Sequence, residues 1–245
     1  MKDLSWLKEN LIAHRGFHSK DLSVPENSML AFKKALEKGY SIELDIHATK
    51  DGVVLAFHDF NLKRLCGVDL NLSDVTYEDI KNLTLHQTHE KITLLKDVLN
   101  LVNGKVPLLI EFKPHGDIKL LCESFMKTIE GYQGAFAIFS FHPKVVGWFK
   151  KHHPEIIRGQ IAEYFKDNHE MGWFSKYLLK SMFFNHFTKP DFVSYGIKDL
   201  PNRYLDRLYK KGMTVISYAA KTQQELDFVK SHYHNVVFEY FEPKK

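Results

Sequence analysis

The chain has 245 residues, of which 44% are hydrophobic and 26% charged, and this composition excludes a disordered protein. The formal net charge is only +4, and because no run of basic residues concentrates this excess, we expect no nucleic-acid partner. No stretch approaches the roughly 18 consecutive apolar residues of a membrane-spanning helix, so we expect no integral membrane protein.

The cysteines and the first residues bear on the cellular compartment. Cys66 and Cys122 are too few for a disulfide framework and lack the close spacing of a zinc site. We therefore expect reduced thiols and a cytoplasmic protein. Charged side chains interrupt any apolar run in residues 1–10, so we expect no signal peptide.

Strand-like and helix-like segments alternate along the chain. Short runs rich in Val, Ile, Leu and Phe predict eight strands, near 10–14, 40–49, 106–112, 135–140, 157–162, 191–195, 213–218 and 235–239. Segments with helical periodicity lie between them, at 28–38, 94–102, 117–130, 143–152, 172–185, 202–211 and 222–231. Eight alternations favour an α/β fold of the (β/α)8 TIM barrel type over a doubly wound open sheet, and the length is typical of such a barrel.

The first predicted helix has recognisable ends. Asn27 or Ser28 can act as its N-terminal cap, and Gly39 follows it as a C-terminal stop. Its apolar residues fall on one face, which indicates a helix packed on the barrel.

One region departs from the alternation. Two apolar runs within 40–58 flank Asp51-Gly52, which is a strong signal for a β-hairpin. A polar segment from about 61 to 91 follows before the next helix. We interpret residues of about 59–92 as a small insertion after the second barrel strand, beside the site, within a single barrel domain spanning 1–245.

Acidic residues interrupt two predicted strands. Glu43 and Asp45 share one face of the second barrel strand, about 6.6 Å apart, and Glu111 shares a face of the third with Lys113. A solvent-facing strand is the simpler interpretation of Glu43 and Asp45 alone. Three acids near the carboxyl ends of barrel strands instead favour a catalytic site with a divalent cation, since buried carboxylates need a metal or a cation as a partner.

Histidines end two of the predicted strands. His14 follows the first barrel strand and His58 follows the return strand of the hairpin. Because imidazole titrates near neutral pH, two opposed histidines can divide the acid and base roles. Arg15 offers a fork for a phosphate and Lys113 a second positive charge, while a salt bridge at the barrel rim is the alternative for Arg15.

Five short motifs occur in order in the first half of the chain and are followed by Phe139-Ser140-Phe141. They are His14-Arg15-Gly16, Pro25-Glu26-Asn27-Ser28, Glu43-x-Asp45, His58-Asp59 and Glu111-x-Lys113. This combination resembles the signature of the glycerophosphodiester phosphodiesterases. The fold of that family is a (β/α)8 barrel with a small insertion after the second strand, in agreement with the pattern of strands and helices.

The resemblance implies a divalent cation, Mg²⁺ or Ca²⁺, as cofactor. Glu43, Asp45 and Glu111 would hold the ion, and His14 and His58 would act as general acid and base.

The resemblance also implies how the substrate is bound and what it is. Arg15 would hold the phosphate with the help of Lys113, and Glu26 would bind or brace the metal shell. The implied substrate is a small glycerophosphodiester, hydrolysed to glycerol 3-phosphate and an alcohol such as choline or ethanolamine. The alternatives are a lysophospholipase D-like enzyme acting on lipids at a membrane, and a barrel that binds a phosphorylated ligand without turnover.

Two positions in the second half depart from the family pattern. Tyr218 stands near the seventh strand where the family often has tryptophan, and Glu239 stands in the last strand where the family often has aspartate. These differences concern the pocket wall and the alcohol, whereas the metal and proton-transfer residues match.

The segment 171–187 crowds aromatic and aliphatic residues around Lys176 and Lys180. A helix that covers the barrel is the simpler interpretation, and peripheral contact with a membrane is the alternative. The sequence leaves the oligomeric state open.

Overall fold

The structure is a computed structural model that describes residues 2–169 and 171–244. The chain has the predicted (β/α)8 barrel fold, in which parallel strands alternate with helices. The described residues fall into two compact units, one spanning Ile12–Phe136 and the other formed by the residues before and after it. The expectation of a single domain with an insertion at about 59–92 stays a prediction.

The elements follow the predicted order. The strands are β1 (Ile12–Ala13), β2 (Ser41–Ala48), β3 (Val54–Ala56), β4 (Thr93–Leu94), β5 (Leu108–Phe112), β6 (Phe136–Ser140), β7 (Ile157–Ala162), β8 (Phe192–Gly196), β9 (Thr214–Ala220) and β10 (Asn235–Phe238). The helices are α1 (Ser5–Glu9), α2 (Met29–Glu37), α3 (Lys63–Cys66), α4 (Tyr77–Ile80), α5 (Leu95–Val102), α6 (Ile118–Thr128), α7 (Pro143–His152), α8 (Trp173–Lys180), α9 (Asn185–Thr188), α10 (Arg203–Lys210) and α11 (Gln223–His232).

In the unit Ile12–Phe136, β2 is parallel to both β1 and β5. The apolar side chains of β2, at Ile42, Leu44 and Ile46, are fully buried, as their alternation predicts. The register places Asp45 of β2 directly opposite Glu111 of β5. This pairing brings the acidic positions of two strands to the same level.

Helix α2 begins at a genuine cap. Ser28 is that cap, because its hydroxyl oxygen accepts a hydrogen bond of 3.1 Å from the backbone N–H of Ala31. Gly39 ends the helix with a φ of +69°, a conformation that glycine adopts without steric cost. The other cap candidate, Asn27, is used elsewhere: its side chain reaches Asp45.

The predicted hairpin is present, with β2 antiparallel to β3. The segment between β3 and β4 is more than a polar loop, because it contains α3 and α4 and its apolar side chains form a hydrophobic cluster together with Leu55 of β3. The buried members of this cluster are Leu55, Phe57, Leu62, Leu65, Leu72, Ile80, Leu85 and Ile92.

The other unit contains α1, β6 to β10 and the helices between those strands, with neighbouring strands parallel. The helix predicted at 172–185 is instead two short helices, α8 and α9. The interpretation of this segment as a helix that covers the barrel is wrong for α8, because none of its eight residues, all described by the structure, is buried. Among the described residues, no helix combines the length and apolar character needed to cross a bilayer.

Candidate active site

The three predicted metal ligands converge. Glu43 and Asp45 lie on the same face of β2, and Glu111 lies beside them on β5. Carboxylate oxygens from the three residues lie within 4.8 Å of one another. Their exposed fractions are only 1%, 0% and 7%, so the solvent-facing interpretation of Glu43 and Asp45 is wrong.

The environment separates the pKa values of these carboxyl groups. Burial raises the pKa of Glu43 well above its ordinary value, and the negative charges of Asp45 and Glu111 raise it further. Burial likewise raises the pKa of Glu111. Burial also acts to raise the pKa of Asp45, but the positive charges of Lys113 and Arg15 outweigh it and hold that pKa below its usual range.

Two cations lie against the carboxylates. The Nζ of Lys113 is 2.9 Å from Oε1 of Glu111 and 3.4 Å from Oδ1 of Asp45. The Nε of Arg15 is 3.2 Å from Oδ2 of Asp45, and its Nη1 is 2.7 Å from Oε1 of Glu26. Arg15 thus forms a salt bridge, which the sequence analysis gave as the alternative to phosphate binding. Glu26 contacts Arg15 and is not one of the three clustered acids.

The three carboxylates fit a hard divalent cation. Carboxylate oxygens are the ligands that Mg²⁺ and Ca²⁺ prefer. Oε1 of Glu43 is buried and has no hydrogen-bond partner among the described residues, an arrangement that is costly unless a cation completes it. Asn27 orients one ligand, since its Nδ2 donates to Oδ2 of Asp45 at 2.9 Å while the Asp45 N–H donates to Oδ1 of Asn27 at 3.3 Å.

Both predicted histidines adjoin this cluster. Nε2 of His14 is 3.9 Å from Oε2 of Glu43. Nδ1 of His58 is 2.6 Å from Oδ1 of Asp59, a pairing that orients the ring. The charges of both imidazoles contribute to the low pKa of Asp45, so the two rings lie within electrostatic range of the carboxylates.

The sequence reasoning missed Arg64, which α3 of the insertion brings to the site. Its guanidinium donates to both oxygens of Asp59, at 2.6 and 3.0 Å, and to both oxygens of Glu26, at 2.7 and 3.0 Å. Burial alone would raise the pKa of Glu26, but the Arg64 hydrogen bonds and the charge of Arg15 lower it to about 2. The available signal was an arginine six residues after His58, in the run Leu62-Lys63-Arg64-Leu65.

The two positions that depart from the family pattern lie in the other unit. The hydroxyl of Tyr218 donates to the Ala162 carbonyl at 3.2 Å and lies 3.3 Å from Oε2 of Glu163. Glu239 is 7% exposed and pairs with Lys221 at 3.2 Å. Both side chains therefore have partners within their own unit.

The fold and the carboxylate cluster define a barrel protein with a candidate metal centre flanked by histidines. A sequence profile of the glycerophosphoryl diester phosphodiesterase family matches residues 14–236. The chain belongs to this family, and the resemblance seen in its motifs is confirmed.

Two relatives match parts of the chain. A glycerophosphodiester phosphodiesterase of Bacillus altitudinis is 34% identical over 158 residues, which cover 60% of this chain and 63% of the relative. A lysophospholipase D GDPD1 of Rattus norvegicus is 34% identical over 135 residues, which cover 50% of this chain and 41% of the relative. The matched regions thus span less than two thirds of either relative.

A solved structure shows the same fold. It is an Oleispira antarctica phosphodiesterase in complex with the product sn-glycerol-3-phosphate, with a TM-score of 0.80 and 18% sequence identity. The match covers 96% of this chain and 94% of that one.

Proposed function

We propose that this protein hydrolyses glycerophosphodiesters to glycerol 3-phosphate and an alcohol such as choline or ethanolamine, with Mg²⁺ or Ca²⁺ as cofactor. The observation that carries the proposal is the buried trio Glu43, Asp45 and Glu111, in which one carboxylate oxygen has no partner among the described residues. Membership of the family supports the substrate class. So does the product bound to the Oleispira antarctica phosphodiesterase of the same fold.

Glu43, Asp45 and Glu111 would hold the cation. When bound, a divalent cation offsets the negative charge that develops on phosphoryl oxygens and lowers the pKa of a hydroxyl next to it. Arg15, which lies beside Asp45, would bind the phosphate with its guanidinium fork, and Lys113 would add a second positive charge.

The two histidines would move the protons. One imidazole takes a proton from the attacking hydroxyl, and the other donates a proton to the departing alkoxide. Attack by water gives glycerol 3-phosphate directly. Attack by the glycerol hydroxyl of the substrate gives a cyclic phosphate first, which water then opens to glycerol 3-phosphate with the two histidines in exchanged roles. In His58 the carboxylate of Asp59 accepts from Nδ1–H, so Nε2 would be the nitrogen that exchanges a proton with the substrate.

A coupled assay tests the reaction. The protein is incubated with glycerophosphocholine, glycerophosphoethanolamine and lysophosphatidylcholine, and released glycerol 3-phosphate is followed with its dehydrogenase. We expect release from the two soluble diesters with Mg²⁺ or Ca²⁺, and none in excess EDTA. Full activity in EDTA would refute the metal, and no product from any diester would refute the substrate class.

A ligand variant separates the metal from the chemistry. Glu43→Gln should abolish turnover and weaken cation binding, measured by calorimetry without substrate, because it removes one anionic ligand. Glu130→Gln, at an exposed position, is the matched control and should retain both turnover and cation binding. Unchanged cation binding by Glu43→Gln would contradict the assignment.

Lysophospholipase D activity is a second candidate. The Rattus norvegicus relative is named lysophospholipase D. In this structure, the exposed aromatic side chains in the segment 171–187 also favour a lipid substrate. Release of choline from lysophosphatidylcholine, followed in a separate assay with choline oxidase, would support it. The cytoplasmic location, in keeping with two free cysteines, stays a prediction.

A further inference from the structure

Exposed aromatic side chains are concentrated in one short stretch. Among the described residues, eleven large hydrophobic side chains are exposed, and five of them lie within 173–187. Single exposed apolar residues are ordinary on a protein surface, whereas a contiguous group marks an interaction site. The exposed fractions are 80% for Trp173, 57% for Phe174, 47% for Tyr177, 44% for Phe183 and 63% for Phe187.

Four of these side chains pack in two pairs. The rings of Trp173 and Phe174 are 5.7 Å apart between centroids, and those of Phe183 and Phe187 are 5.9 Å apart. Helix α8, which carries the first pair, has no buried residue. The aromatic surface is therefore additional to the core of its unit.

The backbone of the stretch is nevertheless tied to the rest of the unit. The Tyr195 hydroxyl donates to the carbonyl of Lys180 at 2.9 Å, and the Lys150 ammonium donates to that of Phe187 at 2.5 Å. The Arg158 guanidinium donates to the carbonyl of Lys189 at 2.9 Å. These bonds present the aromatic side chains on a fixed framework.

The charged residues of this stretch are all lysines. Between Met171 and Pro190 the sequence has three lysines and no Asp or Glu. Lys150, which contacts this stretch, belongs to the basic last turn of α7. Aromatic side chains together with lysines match a bilayer that contains anionic lipids, where the rings enter the headgroup region and the ammonium groups meet phosphates. A second copy of the chain is disfavoured, because it would bring like charges face to face.

We propose that residues 171–189 form a docking surface for membranes that contain anionic lipids. The five aromatic side chains enter the headgroup region, and Lys176, Lys180 and Lys189 contribute the electrostatic attraction. This inference goes beyond the proposed phosphodiesterase activity and depends on none of its residues.

Vesicle co-sedimentation of the full chain tests the proposal. We expect binding to vesicles of phosphatidylcholine with 30% phosphatidylserine, weaker binding to pure phosphatidylcholine, and a decrease as salt is raised. Each aromatic side chain removed by Trp173→Ala or Phe174→Ala should lower the partition coefficient on the order of tenfold. Phe228→Ala, an exposed aromatic position on α11, is the matched control and should bind as the wild type does.

Three results would overturn the proposal: no binding to either vesicle, equal binding of the Trp173→Ala variant, or a dimer in ultracentrifugation that this variant abolishes. The last would assign the surface to a second copy. Hydrolysis of soluble glycerophosphocholine, measured in parallel, should be the same in wild type and all three variants. Because that assay contains no membrane, failure of vesicle binding and failure of the proposed activity are distinguishable.

Discussion

Removing the Arg64 guanidinium tests the charge network that links the insertion to His58. We choose Arg64→Met, because methionine keeps most of the aliphatic stem and loses all four hydrogen bonds to Glu26 and Asp59. The structure assigns this residue a positioning role: Asp59, which Arg64 holds at both oxygens, in turn holds His58 at 2.6 Å.

The expected loss of stability follows from the exposure of each partner. Breaking a fully buried ion pair costs about 3–5 kcal/mol of unfolding free energy. Because Glu26 retains its contact with Arg15 at 2.7 Å, we expect loss of the Arg64–Glu26 pair to cost about 2 kcal/mol. Asp59 is 23% and Arg64 45% exposed, and solvent screening limits their pair to about 1 kcal/mol. A total of about 3 kcal/mol lowers Tm by about 6–12 °C for a chain of this length.

The pH dependence of this loss has a definite sign. The pKa of Glu26 is lowered from 4.5 to about 2 in the folded protein, so its charged form stabilises the fold above pH 4.5. That stabilisation disappears as the pH falls through 4.5 towards 2 and the carboxylate is protonated. The difference in unfolding free energy between wild type and Arg64→Met should therefore narrow over this window.

Two assays check the reasoning. Thermal unfolding followed by circular dichroism gives Tm, and the coupled assay gives kcat, which we expect to fall about tenfold as His58 loses its fixed orientation. Lys63→Met is the control. Lys63 and its partner Asp69 are 72% and 70% exposed, so their ion pair should change the free energy of unfolding by no more than about 0.5 kcal/mol. An Arg64→Met protein with wild-type Tm and kcat would refute the network.

Further expectations concern the histidines and the thiols. His14→Ala and His58→Ala should each lower kcat by roughly 10²-fold or more. His89→Ala, at an exposed position, should leave kcat unchanged. Near-normal turnover in the His14 or the His58 variant would remove the proton-transfer role of that residue. Burial raises the pKa of Cys66 to about 11 and that of Cys122 to about 12, so native protein should react slowly with iodoacetamide at pH 7 and unfolded protein quickly. Equal labelling rates in the two states, measured by mass spectrometry, would contradict the burial of these thiols.

The fold was predictable because its signals are local. Each barrel strand is a short apolar run, and each coincides with a predicted segment. Alternation within β2 also placed Glu43 and Asp45 on one face. Their burial beside Glu111 could not be read from either strand alone, because it depends on the register that sets Asp45 opposite Glu111.

The features that sequence reasoning missed depend on distant partners. Arg64 contacts Glu26 across 38 positions of chain, and no local pattern couples the two. Helix α8 was misread for a related reason. Its periodicity indicates a helix, but periodicity does not say what covers a helix, and Trp173 and Phe174 in α8 face solvent.

The hydrophobic cluster that joins the segment between β3 and β4 to Leu55 has a consequence for how this region unfolds locally. Because Leu62, Leu65 and Leu72 pack within that cluster, their amide protons are expected to exchange with deuterium together, as one cooperative unit. Arg64 lies in the same unit and fastens it to Glu26 and Asp59. Opening of the insertion would thus release the anchor of His58 while the barrel strands stay protected, so that the rate of exchange in the insertion reports how firmly the imidazole is held.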